Sequence, residues 1–331
     1  MRDEKKICIL GPGRMGVGIA TAILLANQGD AVTLFDTKDR EPGQEMTALE
    51  RALDEIRDNM ILLSELGMWS GDAEQACAAI GVSRNLSEMS HATFIFEALP
   101  EKVDLKENFF AAVGELMGEK TVVASATSTF QLRVFTEVCA KPGNIVTAHW
   151  LNPAFLIPLV EIAHGKETRA WAVERTQAFL RSIGKIPVTL KSSPGFIVPR
   201  IQVAAMNEAV RILEEGVTTA EEIDTAIKAG FGFRLGVLGL IEFIDLGGVD
   251  ILSHAGNYLH SELGGSHYKP PKLVAEKMRL NEVGPRTGKG IFDYSKVDTS
   301  AMFQEKYRGF IELLNLYSKS SVLRFAGGIK E

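Results

Sequence analysis

The chain has 331 residues and a formal net charge of −6 at neutral pH, with a pI near 5.7. That length exceeds the ~100–200 residues of one domain and predicts two cores, while the acidic balance argues against nucleic acid or anionic membrane, both of which need a basic face. No basic segment followed by an apolar run opens the sequence, and no apolar stretch reaches the ~18–20 residues of a bilayer span, so no membrane contact and a cytoplasmic location are expected.

The first element is an apolar run from Ile7 to Leu10, suited to a buried parallel strand. Gly11, Gly13 and Gly16 follow at G-x-G-x-x-G spacing, with Arg14 and Met15 where a helix begins. Gly11 permits the tight turn, Gly13 lets the backbone approach a pyrophosphate, and Gly16 lets helix and strand pack closely. The helix N-terminus then offers free N–H groups to the phosphates. Asp36 ends a second strand about twenty residues on, where a carboxylate accepts hydrogen bonds from both hydroxyls of an adenosine ribose and repels a 2′-phosphate. NAD is therefore favoured over NADP; Lys38 just behind is a discordant cation of the kind that helps hold a 2′-phosphate, with a solvated surface lysine as the preferred reading. Cys8, Cys77 and Cys139 lack paired or metal-type spacing and are expected to be reduced and structural, with no metal site.

Residues 45–66 place apolar side chains at three- and four-residue steps, which predicts an amphipathic helix. Strands are predicted at 79–83, 93–99, 121–126, 144–149, 157–163 and 186–190, and helices at 103–117, 130–139 and 167–183. This alternation predicts an α/β Rossmann-type dinucleotide-binding domain over residues 1–190, a mostly parallel sheet wrapped on both faces with ligands at its carboxyl ends. Proline and glycine at 194 and 195 break the pattern, and helices are predicted at 196–215, 219–229, 238–263, 271–281 and 299–317. Residues 191–331 should thus form an all-α domain. Its helices are apolar over more than one stripe, as at Ile201, Val203, Ala204, Ala205, Ala209, Val210, Ile212 and Leu213. A homodimer through these helices is the expectation, although a large private core would give the same pattern.

A nicotinamide enzyme that oxidises an alcohol needs a base for the hydroxyl proton, and histidine titrates near neutrality. Of the six histidines, only His149 ends a predicted strand of the sheet, on the side where ligands gather. Glu161 stands inside another apolar strand, where a lone carboxylate is expensive to bury, and His149 is a fitting partner. From the residues alone, a hydrogen-bonded core histidine and a structurally paired glutamate stay open.

From Lys6 to Ser295 the chain resembles the NAD-dependent L-3-hydroxyacyl-CoA dehydrogenase family. The matching phrases are Gly-Pro-Gly-Arg-Met-Gly, Glu-Ala-Leu-Pro-Glu-Lys-Val-Asp-Leu-Lys, Ala-Ser-Ala-Thr-Ser, His-Trp-Leu-Asn-Pro, Pro-Leu-Val-Glu-Ile, Ser-Pro-Gly-Phe-Ile-Val and Arg-Thr-Gly-Lys-Gly-Ile-Phe-Asp-Tyr, in order and at matching spacing. The resemblance implies NAD-dependent oxidation of a short-chain L-3-hydroxyacyl-CoA to the 3-ketoacyl form, in fatty acid metabolism. It implies that His149 is the general base and Glu161 orients it, that Ser128 hydrogen-bonds the reacting oxygen, and that Asn152 lies beside the histidine. Glu101 and Lys106 match a cofactor-side glutamate and lysine, with a solvated helix-entry pair as the alternative.

Two positions depart from the family pattern: Pro199 stands where the family has asparagine after Pro-Gly-Phe-Ile-Val, and Ala126 where it usually has asparagine before Thr-Ser. The helical arm from Arg40 to Asp72, which in the family helps hold coenzyme A, offers Arg40, Arg51 and Arg57 but no lysine. The phrase Asn-Pro-Ala-Phe-Leu-Ile-Pro-Leu-Val-Glu is also similar to relatives that work on free hydroxy acids, the carnitine dehydrogenases and the λ-crystallin or gulonate dehydrogenases. A small non-CoA hydroxy acid is therefore the alternative substrate. A non-catalytic NAD-binding structural or sensor protein is a further alternative, against which the joint presence of His149, Glu161 and Ser128 speaks.

Overall fold

Residues 5–26, 29–38 and 40–319 are described by the structure, a computed structural model. Contacts divide the chain into two units, Met1–Ala205 and Met206–Glu331. In the first unit, β1 (Lys6–Leu10), α1 (Arg14–Leu25) and β2 (Ala31–Phe35) form the opening βαβ. Then come α2 (Thr47–Glu65), α3 (Ala73–Ala78), β3 (Gly81–Ser83), β4 (Phe94–Glu97), α4 (Val103–Leu116), β5 (Val122–Ser125), α5 (Arg133–Thr136), β6 (Ile145–Trp150), β7 (Leu159–His164), α6 (Ala170–Ser182) and β8 (Ile186–Lys191).

The strands make one eight-stranded sheet in the order β3-β2-β1-β4-β5-β6-β7-β8. Neighbours run parallel except β6 and β7, which are antiparallel. Both faces are covered, and the two-residue period of a strand shows in how its side chains are shared out. Ile7, Ile9, Phe94, Phe96, Val122 and Ala124 enter one core with α1, α2 and α6. Cys8, Leu10, Ile95 and Val123 enter the other, with Phe109, Phe110 and Phe135. The cysteines are free and buried, and burial, helped by Glu88, pushes the Cys8 thiol up to about 12.

The chain leaves β1 in one direction toward β2 and in the other toward β4, which opens a crevice beyond the carboxyl ends of these strands. There the glycines have distinct steric duties. Gly11 has φ +105°, and a Cβ on it would lie 2.5 Å from the Ala98 carbonyl oxygen. A Cβ on Gly16 would drive into the Gly11 carbonyl oxygen, whereas one on Gly13 would meet no protein atom within 4 Å and would project into open space.

Several predicted elements are shorter than expected, and other elements were not predicted. The helix expected over 130–139 is reduced to α5, because the Thr127 hydroxyl takes the Phe130 N–H and the Ser192 hydroxyl takes that of Leu132. Elements with no counterpart in the prediction include α3, whose N–H groups at Glu74 and Gln75 are capped by Asp72, and a 3₁₀ turn at Leu86–His91 capped by Asn85.

α7 (Val198–Glu214) carries the chain across the boundary between the units. The second unit is helical: α8 (Ala220–Ala226), a π-helical stretch Ile227–Gly232, α9 (Phe233–Leu235), α10 (Leu240–Gly247), α11 (Val249–Leu263), α12 (Lys272–Arg279) and α13 (Thr299–Lys319). The single helix expected over 238–263 is two, broken at Gly248 (φ +106°), where the Val249 N–H turns to the Val283 carbonyl. A buried carboxylate organises this unit. Asp245 accepts the N–H groups of Ile291 and Phe292 at 2.8 Å each and the Tyr294 hydroxyl at 3.2 Å, so the Gly-Lys-Gly-Ile-Phe-Asp-Tyr phrase wraps around it.

Candidate active site

Antiparallel pairing of β6 with β7 sets His149 directly opposite Glu161. Their side chains meet at 2.8 Å, His149 Nδ1 to Glu161 Oε2, and both residues are buried. The other carboxylate oxygen accepts the N–H groups of Ile197 and Val198, each at 2.9 Å, so the start of α7 completes the coordination of Glu161. Burial alone would push the Glu161 carboxyl up, but the hydrogen bond from His149 and the N–H groups of Val198 and Ile197 together hold it below its ordinary value. An ionised carboxylate only accepts, so Nδ1 carries a proton and Nε2 is the ring nitrogen left for other chemistry.

The backbone before α7 is shaped to the same purpose. Gly195 has φ +71° and Phe196 has φ +46°, a region that costs a bulky residue about 1–3 kcal/mol. That turn lays the Phe196 ring on His149, with centroids 5.1 Å apart and planes 26° from parallel. Pro199 follows as the second residue of α7, where a missing N–H is tolerable.

His149, Ser128 and Asn152 line one cavity of about 240 Å³ with Met15, Ala98, Leu99, Ala126, Trp150 and Leu151. The cavity thus joins the start of α1, the end of β4, the loop after β5 and the end of β6. Ser128 is held by its backbone, since Glu101 Oε1 accepts the N–H groups of Ser128 (3.2 Å) and Thr129 (3.1 Å) as well as the Thr127 hydroxyl. Glu101 is in turn 3.3 Å from Lys106 Nζ. Lys106 is not part of a solvated pair: it is 1% exposed, and its ammonium lies between Glu101 and the fully buried Glu97, 2.6 Å from the latter.

The cofactor end matches the needs of a dinucleotide. α1 begins after Gly13 with no side-chain cap and no acid in its first turn, so its N–H groups and the open space before Gly13 are free for phosphate. Arg14 is exposed at that helix start, and Asp36 lies just past the end of β2.

Two models of the 3-hydroxyacyl-CoA dehydrogenase family match nearly the whole chain: the NAD binding domain over residues 6–193 and the C-terminal domain over 195–294. The chain belongs to the 3-hydroxyacyl-CoA dehydrogenase family. It is 31% identical over 292 residues to 3-hydroxybutyryl-CoA dehydrogenase of Clostridioides difficile, covering 88% of this chain and 100% of that protein. It is 30% identical over 312 residues to 5-formyl-3-hydroxy-2-methylpyridine 4-carboxylate 5-dehydrogenase of Mesorhizobium japonicum, covering 93% and 96%. Among solved structures, the 3-hydroxyacyl-CoA dehydrogenase of Archaeoglobus fulgidus superposes with a TM-score of 0.75 at 28% identity, over 96% of this chain and 100% of that one. As a member of this family, the protein is an NAD-dependent oxidoreductase.

Two residues of this family member's site were not singled out from the sequence. Glu97 accepts from Lys106 Nζ, from the Leu99 N–H at 2.8 Å and from the Ser125 hydroxyl at 2.5 Å, tying β4 to the loop that carries Ser128. The cue that pointed to Glu161, a carboxylate in an apolar strand, is present in Phe-Ile-Phe-Glu as well. Lys185 is buried and donates to the carbonyls of Ala154 (2.6 Å) and Ile157 (2.9 Å), holding the turn after Asn152, and burial lowers its pKa. Nothing local in Gly-Lys-Ile-Pro announces that contact.

Proposed function

We propose that the protein oxidises the 3-hydroxyl of a short-chain L-3-hydroxyacyl-CoA to the 3-ketoacyl form, with His149 as the general base. The observation that carries this reading is the His149–Glu161 contact at 2.8 Å behind a cavity shared with Ser128 and Asn152. His149 Nε2 takes the hydroxyl proton as the hydride leaves the same carbon and the carbonyl forms. Glu161, ionised and facing Nδ1, stabilises the imidazolium that results. The Ser128 hydroxyl and the Asn152 amide, from residues that line the same cavity, are suited to hold the reacting oxygen. Bound NAD supplies the hydride acceptor, held by the glycine turn, the N-terminus of α1 and Asp36.

A second reading within the same chemistry, a small hydroxy acid without coenzyme A, has an observation in its favour. Each arginine of the arm is already engaged: Arg40 by Asp36, Arg51 by the Thr47 carbonyl, and Arg57 by Asp54 and Glu74. The Mesorhizobium japonicum relative is also named for a pyridine carboxylate rather than a thioester.

The test follows NADH at 340 nm, with acetoacetyl-CoA in the reductive direction and a panel of free hydroxy acids in the oxidative one. Turnover of the thioester is expected, and His149→Ala should lower kcat by ~10²–10⁴-fold with NADH affinity unchanged. Activity on free acids with none on thioesters would replace the substrate and keep the base. Near-normal turnover by His149→Ala would remove that residue from the mechanism.

A further inference from the structure

The ribose end of the cofactor site is not the bare carboxylate that its position in the sequence suggests. Asp36 is buried, and Oδ2 accepts both Nε and Nη2 of Arg40, at 2.9 and 2.7 Å. Oδ1 accepts the Lys38 N–H at 3.2 Å. Arg84, beyond β3, donates to the carbonyls of Asp36 (3.4 Å) and Lys38 (2.9 Å), which pins the loop and brings a second guanidinium to it. The guanidinium groups of Arg40 and Arg84 thus both lie at the loop that follows β2, one on the Asp36 carboxylate and the other on its carbonyl.

An isolated aspartate rejects a 2′-phosphate by charge, but this one is already neutralised by a guanidinium that uses two N–H groups. Either cofactor must disturb that pair. Ribose hydroxyls would replace Arg40 as donors to Asp36, whereas a 2′-phosphate would offer Arg40 a doubly charged acceptor of the geometry its fork prefers. The Arg40 side chain is 24% exposed and sits on a surface loop, so it can exchange partners without unpacking a core.

We propose that the end of β2 is a dual-cofactor subsite, in which Arg40 exchanges the Asp36 carboxylate for a 2′-phosphate, so that the protein binds NADP(H) as well as NAD(H). The inference rests on Asp36 marking the adenosine ribose.

Titration calorimetry of the whole protein with NADH and with NADPH tests it without turnover. The wild type should bind NADPH within about tenfold of NADH. Arg40→Ala should weaken NADPH by about 10–100-fold, the worth of a charge-assisted pair, while NADH affinity holds or rises because Asp36 is released to the ribose. Arg84→Ala should weaken NADPH by less. Equal weakening of both cofactors in Arg40→Ala, or an unchanged ratio, overturns the exchange. NADPH binding more than about a thousandfold weaker than NADH in the wild type also overturns it and leaves the NAD site standing. Failure of NADH itself to bind would instead remove the ribose assignment beneath it.

Discussion

At the scale of single residues, the buried carboxylates carry the arrangement, and each has a signature in stability. The Glu161 carboxyl lies below its ordinary 4.5 in the folded protein, so its contribution is present at pH above that value and is lost as pH falls through the lowered one. Glu161→Gln should therefore be less stable than the wild type at about pH 7, with the gap closing as pH falls below the ordinary carboxylate range. Urea unfolding at a series of pH values reads this directly, and a gap that stays constant would exclude an ionised Glu161. Glu97 and Lys106 are a pair of another kind, both out of solvent. Lys106→Met strands the Glu97 charge and should cost about 3–5 kcal/mol, whereas Lys106→Met combined with Glu97→Gln should cost much less than the sum of the single changes. Additive losses would mean that the two side chains are not coupled. Of these carboxylates, Glu161 could be read from the sequence because an apolar strand made its need for a partner plain. Glu97 escaped because, apart from the Leu99 N–H two residues on, its partners come from α4 and from the end of β5, neither of which lies beside it in the chain.

At the scale of elements, the helices and strands with a single buried face or a central place in the sheet follow the hydrophobic pattern, and the discrepancies have local chemical causes. The run 238–263 keeps apolar residues at helical spacing on both sides of Gly247 and Gly248, so the hydrophobic pattern by itself does not disclose the break. The break depends on Gly248 adopting φ +106° and on the Val249 N–H finding Val283, a residue far along the chain. α3 was missed although Asp72, followed by Glu74, is the kind of start signal that marks a helix N-terminus. The phrase Gly-Lys-Gly-Ile-Phe-Asp-Tyr, recognisable as a family motif, proves to serve Asp245. A Cβ on Gly290 would strike the Asp245 carboxylate, so Gly290→Ala should displace the N–H groups of Ile291 and Phe292 and destabilise the protein by about 2–4 kcal/mol. Thermal unfolding checks this, and a change under about 0.5 kcal/mol would show that the loop can move aside.

At the scale of the whole molecule, the second unit buries little on its own: Val249, Val274 and Val283 form a small core, while α7 and α8 have no buried residue. Met206 and Val210 on α7, Ile251 and Tyr258 on α11, and Tyr307, Ile311 and Leu314 on α13 are all exposed at helical spacing. Apolar surface of that extent suits a partner of the same kind, and sedimentation should give twice the 36.1 kDa mass of the chain, with Ile311→Glu combined with Leu314→Glu shifting it toward monomer. A wild-type monomer at micromolar concentration would contradict this. The one reversal of direction in the sheet has its own consequence, for descent rather than for stability. Because β7 turns back along β6, His149 and Glu161 are only 12 residues apart in sequence, and the proposed acid–base pair is encoded in a single hairpin. The other residues that line the cavity beside His149, among them Met15, Leu99 and Ser128, come from separate stretches of the gene. Substrate preference can drift through those stretches one at a time while the proton-handling pair is inherited whole.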